Sequence, residues 1–144
     1  MTRLDTIYTE LLVMAQQMSR EDIWMEGKLE IRVNSGRVYE EGDMVDANLL
    51  LESIEKAGTY FLFSCLCGSP QCSGWEQGVE VIHEEDIIVW NLLDHDKIYR
   101  FDRKSIEGDL KEAKKEVEIY KAYFAEKGIK YVGFGFNENF TIDE

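Results

Sequence analysis

The chain is 144 residues long, the size of one ordinary domain, and is 44% hydrophobic and 12% aromatic with a single proline, so it can bury a sizeable core and is not of disordered composition. Its formal net charge of −13, from 29 acidic against 16 basic side chains, argues against a DNA or RNA backbone and against a basic membrane-surface patch. No apolar run approaches the roughly 20 residues that span a bilayer. Residues 1–20 carry acids early and show no export segment, so a cytoplasmic protein is expected, with its cysteines as thiols in a reducing compartment.

Leu4, Ile7, Tyr8, Leu11, Leu12, Ala15 and Met18 recur at helical spacing, which predicts an amphipathic helix over 3–19. Residues 28–33 alternate, with Leu29, Ile31 and Val33 on one side and Lys28, Glu30 and Arg32 on the other, the pattern of a half-buried strand. Asn34, Ser35 and Gly36 have hairpin-turn chemistry, so 37–39 is expected to return as a short strand. Asp46 is placed to cap a helix at 47–57 striped by Ala47, Leu50, Leu51 and Ile54, and Gly58 stands where a C-terminal glycine belongs.

Strands are predicted over 60–65, 78–83, 87–92 and 98–101, the last three as a meander with turns at 84–86 and 94–97. The 87–92 segment is apolar on both faces, so it is expected at the centre of its sheet. Ile106, Leu110, Ala113, Val117, Tyr120 and Phe124 give the strongest helical stripe, over 103–127, with Asp102 at its start and Gly128 at its end. A last strand is expected over 129–136. No repeat or linker divides the chain, so one domain over 1–144 is expected. Its class is α+β, a mainly antiparallel sheet of about six strands packed against two or three helices.

All three cysteines and the only proline fall in one stretch, FLFSCLCGSPQCSG at 61–74. Three readings of it stand side by side. Zinc would use the thiolates of Cys65, Cys67 and Cys72, and a tetrahedral structural site needs a fourth ligand; His83 is the first candidate and His95 the second. A reactive thiol at Cys67 or Cys72 would need a nearby cation to lower its pKa, and only Lys56 lies between Arg37 and Lys97. The structural reading buries the cysteines as small apolar residues beside Phe61, Phe63 and Trp75, with Gly68 and Gly74 bending the chain.

The run FSCLCGSPQCSG at 63–74, with Val79 and Val81, then Val89 and Trp90, then Tyr99, Phe101 and Asp102, resembles a signature of small uncharacterised bacterial proteins. In these an F-x-C-x-C-G-x-x-x-C-x-G turn precedes a valine-rich strand, a strand ending in tryptophan, and a Y-x-F-D entry to a helix. The resemblance covers about residues 59–125 and implies a bacterial cytosolic protein of one domain. It implies no catalytic residue.

Other chemistry is thin. His83 is followed by Glu84 and Glu85, but Ile87 stands where a zinc-protease helix needs histidine. Gly133 and Gly135 lack the third glycine and the strand-to-helix turn of a dinucleotide site. Asp94, His95 and Asp96 read as a turn that could hold a cation weakly. Trp24, Tyr60, Trp75, Trp90, Phe134 and Phe136 read as core or as the lining of a small-molecule pocket.

With no triad, no phosphate loop and no complete metal set, the preferred expectation is a non-enzymatic protein. It would bind a basic protein partner or a small ligand in an aromatic-lined cleft. The alternative is a structural zinc on Cys65, Cys67, Cys72 and His83, and a third is an enzyme using Cys67 or Cys72. The long helix and the last strand also offer apolar surface for a homodimer.

Overall fold

The computed structural model describes residues 3–17, 21, 23–40, 43–65 and 69–133. It opens with a long hairpin. β1 (Ile7–Gln17) pairs antiparallel with β2 (Ile23–Val33) over eleven residues each, from Ile7 opposite Val33 to Gln17 opposite Ile23.

The helix predicted over 3–19 is therefore a strand from Ile7 to Gln17; positions 18 and 19 lie outside the described residues. Apolar residues stand at so many positions there that the run satisfies both periods. The period of two wins because Ile7, Thr9 and Leu11 are buried on one face while Tyr8 is 57% exposed on the other. Pairing along the whole of β2, and β-branched residues at Ile7, Thr9 and Val13, outweigh local helical spacing. β2 also starts earlier than predicted, taking in Trp24 and Met25, and it buries Leu29, Ile31 and Val33 on the expected face.

Asn34 and Ser35 adopt positive φ, 51° and 71°, as the turn chemistry requires. The return strand over 37–39 does not form. The ladder stops at a single bridge between Val33 and Gly36, and the Ile31 amide donates to Tyr39 Oη at 3.1 Å. A side chain thus takes the edge position that a third strand would have filled. Farther along the same edge, β2 is joined in parallel by β9 (Lys130–Gly133), from Trp24 opposite Lys130 to Gly27 opposite Gly133. The predicted strand positions 134–136 lie outside the described residues.

β3 (Met44–Val45) leads to α1 (Ala47–Glu55), whose N-cap is Asp46 as predicted, its carboxylate accepting from the Leu49 amide at 3.0 Å. The predicted role of Gly58 is not observed. α1 ends earlier, and Gly58 opens β4 (Gly58–Tyr60). Side chains satisfy the last carbonyls instead: His83 Nε2 donates to Ser53 O at 2.8 Å, Arg103 Nη2 to Ile54 O at 2.7 Å and Tyr60 Oη to Lys56 O at 2.6 Å. A helix end held from three other elements needs no left-handed glycine.

The strand predicted over 60–65 is split. Tyr60 pairs with Val79 in one sheet, whereas β5 (Phe63–Ser64) pairs with β3 in another. β6 (Val79–Glu84), β7 (Ile87–Leu92) and β8 (Lys97–Asp102) form the predicted meander. β7 is central in the sheet β4-β6-β7-β8 and buries Ile88, Val89, Trp90 and Leu92.

α2 (Arg103–Glu126) follows at once, burying Ile106, Leu110, Ala113, Val117 and Phe124. Tyr120, predicted on the same stripe, is 37% exposed. Asp102 occupies the N-cap position, but its carboxylate accepts from Ser105 Oγ at 3.2 Å rather than from a backbone amide. Asp109 on α2 accepts from the Thr9 amide at 3.0 Å, so the helix covers part of the exposed edge of β1.

The class is α+β as expected, with two α-helices among the described residues and mainly antiparallel pairing. The strands lie in three sheets, β1-β2-β9, β3-β5 and β4-β6-β7-β8, rather than in one sheet of six. Asp5 ties the first to the last: its amide donates to Arg100 O at 2.7 Å, and its carboxylate accepts from the Arg100 amide at 2.9 Å. One contiguous core runs through all three, with Ile31, Leu50, Phe63, Trp90, Phe101 and Ile106 fully buried. Among the described residues no helix is long and apolar enough to cross a membrane.

Candidate functional site

The sequence placed its candidate chemistry in the cysteine stretch. There Phe63 and Trp75 are buried, with ring centroids 5.4 Å apart. Neither described cysteine shares that burial, contrary to the structural reading: Cys65 is half-buried and Cys72 exposed. A 3-10 turn at Gln71–Ser73 carries Cys72 outward, and Gly74, at φ 89°, turns the chain so that Trp75 enters the core. The Ser69 carbonyl accepts from the amides of both Cys65 and Cys72, each at 3.3 Å, which draws the two ends of the turn together. Cys67 lies outside the described residues. His83 is on β6 with Nε2 against the Ser53 carbonyl. Among the described residues no three His, Cys, Asp or Glu side chains come together as a metal would need.

What the stretch does build is one wall of an open cleft of about 730 Å³, within the size range of small-ligand sites. Three separate pieces of chain meet there. Ser73 and Trp75 come from the end of the cysteine turn, Arg37, Tyr39 and Glu40 from the segment after β2, and Leu92, His95, Lys97 and Tyr99 from the β7–β8 hairpin.

Aromatic packing fixes the walls. Phe63 is the hub: Tyr39 stacks on it at 4.8 Å with planes 13° apart, and Trp75 and Trp90 pack against it at 5.4 and 6.0 Å. His95 stands edge-on to Trp75 at 4.7 Å. Tyr99 stacks on Phe101 at 6.1 Å. Such pairs hold ring orientations as well as area. Tyr39 is further pinned by its hydroxyl bond to Ile31, and burial pushes its pKa above the ordinary phenol value, against the lowering effect of that bond.

Charge is arranged as tightly. Glu30 is 8% exposed, and its Oε2 accepts from Arg32 at 2.6 Å and Arg37 at 3.0 Å. Arg37 also lies 6.0 Å above the Tyr39 ring. On the other side, Asp94 fastens the hairpin to the segment behind Trp75: its carboxylate accepts from the Gln77 amide at 3.0 Å and the Gly78 amide at 2.9 Å. Desolvation pulls the Asp94 pKa upward, but the amides of Gly78, Gln77 and Glu76 and the nearby His95 outweigh it, and the net direction is downward.

A depressed carboxyl pKa stabilises the fold above the unfolded value, near 4, and that contribution disappears as the pH falls through the folded value. Asp94→Asn is expected to cost about 1 kcal/mol at neutral pH, less than the roughly 1.5–3 kcal/mol of a bond to a charged group because Asp94 is only half-buried and partly screened by solvent. The gap between parent and variant should narrow below roughly pH 4 in urea-unfolding series. A gap that stays constant down to acid unfolding would show that the charge on Asp94 does nothing for the fold.

Of the described aromatics named from sequence as pocket candidates (Trp24, Tyr60, Trp75 and Trp90), only Trp75 lines this cleft; Phe134 and Phe136 lie outside the described residues. Tyr39, Tyr99, Arg37 and Lys97 were missed, and His95 was read as part of a turn and as a second candidate zinc ligand, not as part of a ligand cleft. One signal was present. Between Arg37 and Lys97 the chain carries a single cation, Lys56, and the two cations that bound this stretch line the same cleft. A smaller groove of about 390 Å³ runs between α1 and α2 over Leu51, Ile54 and Leu110. No family model, curated protein or solved structure matches the chain.

Proposed function

We propose that the protein is a non-enzymatic binding protein that takes a small ligand in this cleft. The observation that carries the reading is the cleft itself: about 730 Å³, with rings from Tyr39, Trp75 and Tyr99 and charged groups at its edge. Concave, mainly aromatic sites with a few polar groups are the usual form of small-ligand sites. Ser73 and His95 both line it, but no hydrogen bond joins them, so the lining offers recognition groups rather than an activated nucleophile. A basic protein partner suits the charge of −13, but it has no such shaped receptor to support it. A cytoplasmic location fits a protein whose thiols stay reduced. The test is a chemically broad fragment library screened by amide chemical-shift mapping. Hits clustering on Tyr39, Trp75, His95 and Tyr99 are expected; a library that leaves these amides unmoved would remove the reading.

A second reading is a structural zinc on Cys65, Cys67 and Cys72, with His83 as the fourth ligand. It is favoured by the Ser69 carbonyl that draws the Cys65 and Cys72 backbones together. It requires His83 to exchange its bond to Ser53 for a metal. Elemental analysis of protein purified without chelator should find about one zinc per chain. Below about 0.1 per chain the idea ends, because structural zinc survives purification.

A further inference from the structure

We infer that β1 pairs with β1 of a second copy of this chain, antiparallel about a two-fold axis at Ala15, so that the β1-β2-β9 sheets of two copies join into one. The observation is an open strand edge. Thr9 and Ile31 stand opposite one another, and their amides point out of the β1–β2 ladder, to Asp109 and to Tyr39. By the period of two, the backbone groups of Leu11, Val13, Ala15 and Gln17 also face away from β2. Asp109 on α2 closes this edge at Thr9, and Leu11 is 9% exposed. Past Leu11 the strand emerges: Met14 is 38% exposed, and Ala15 and Gln17 are exposed. Among the described residues nothing bonds the outward amides of Val13, Ala15 and Gln17, and β1 has no sheet neighbour but β2. Three outward donors and three outward acceptors in line are a template for another strand.

The residues of the edge decide which strand. Proteins guard an open edge with charge, proline or a bulge. Between Glu10 and Arg20 there is no charged residue, proline or glycine, in a chain that is 31% charged, and β1 matches β2 one to one without a bulge. Other edges are guarded: Asp5 bonds both the amide and the carbonyl of Arg100 on β8, and Tyr39 Oη takes the Ile31 amide on β2. Two copies carrying −13 each repel, so they meet at least cost where neither presents a charge. A two-fold axis at Ala15 lays the uncharged run on itself. Ala15 then faces its own counterpart and Val13 faces Gln17, each pair exchanging two backbone bonds. Met14 lies diagonal to Met14 of the second copy, within reach of a long side chain. The run is its own complement, the condition for a closed two-fold contact. A basic partner would find no carboxylate in it.

The test is sedimentation equilibrium of the full chain over a concentration series, with amide hydrogen exchange on the same samples. A monomer–dimer equilibrium is expected. Exchange at Val13, Ala15 and Gln17 should slow as the dimer fills, while Leu12 and Met14, whose amides face β2, should not change. Ala15→Lys sets two cations opposite each other at the axis and should weaken association about fivefold or more. Ala15→Glu should do the same, and an equimolar mixture of the two variants should recover the parent's dimer. Position 15 is exposed, and melting curves check that both variants fold. A parent that stays monomeric at about 1 mM overturns the inference. So does a dimer that neither variant weakens or that the mixture fails to restore, because the copies then meet elsewhere. Edge amides protected equally at every dilution would mean that the chain covers its own edge. A mass above the monomer that is not a multiple of 16.8 kDa would mark a different partner. Either result also overturns the pairing.

Discussion

Gly27→Ala is expected to cost about 3 kcal/mol, the upper range for overpacking a rigid site. Gly27 sits in mid-strand on β2, between Val13 on β1 and Gly133 on β9. Tyr131, in register with Met25, reaches diagonally across it. A Cβ on Gly27 would land on the phenol oxygen, 2.9 Å from Cζ and 3.3 Å from Cε1. A flexible side chain could swing away, but Tyr131 is 1% exposed and stacked on Phe124 at 6.1 Å. The glycine is therefore a slot for a ring, the aromatic cover that a bare strand position invites.

The same ring supplies a control. Tyr131 Oη is buried without a hydrogen-bond partner, and burial, with a minor contribution from Tyr120, pushes its pKa up to about 12. Tyr131→Phe removes an unpaired hydroxyl and should leave stability unchanged or raise it by up to about 1 kcal/mol. A phenol pKa raised on folding stabilises below the unfolded value, near 10, and that contribution is lost as pH rises through the folded value. The parent should therefore lose stability between roughly pH 10 and 12 relative to Tyr131→Phe. Gly27→Ala within about 0.5 kcal/mol of the parent in urea unfolding would show that Tyr131 moves aside at little cost.

The contrast between β1 and α2 shows what the sequence could convey. In the first four turns of α2 charged and polar residues fill nearly every position off the stripe, so one period fits, and the helix was predicted within a residue or two of its bounds. In β1 both periods fit, and the partner that decides between them is β2, whose pairing has no trace in the local pattern. The meander of β6, β7 and β8 was legible because tight turns separate alternating or fully apolar runs. The parallel joining of β9 to β2 was not, because no local signal links residues that far apart.

The site divides the same way. Trp75 was flagged because it adjoins the cysteine turn. Tyr39 and Tyr99 were read as strand residues, and nothing in their neighbourhoods distinguishes a ring that lines a cleft from one that faces solvent. The end of α1 adds a further case: a glycine in the expected position proved unnecessary because His83, Arg103 and Tyr60 arrive from elsewhere in the chain. Local chemistry forecast the demand for partners on those carbonyls but not their source.

Trp75→Ala is expected to cost about 3–5 kcal/mol, a large share of the 5–15 kcal/mol typical of a domain. Its indole is 2% exposed and bridges Phe63 of the core to His95 of the hairpin, at 5.4 and 4.7 Å. Removing it opens a hole beneath the cleft, and its walls have limited freedom to collapse: Gly78 behind it stands at φ 89° with Tyr60 O only 2.8 Å from where a Cβ would be, and Asp94 ties that segment to the hairpin. Trp75→Phe keeps most of the buried area and should cost about 1–2 kcal/mol. The pair separates architecture from recognition. If the cleft is a ligand site, Trp75→Phe stays folded at ambient temperature but loses most of its response to cleft-binding fragments, because the floor on which they rest has receded. If Trp75→Phe binds them as the parent does, the indole serves the core alone, and recognition must rest on Tyr39, Tyr99 and the charged rim. A cost below about 1 kcal/mol for Trp75→Ala would contradict the packing itself, since an isolated surface ring, not one wedged between Phe63 and His95, is removed that cheaply.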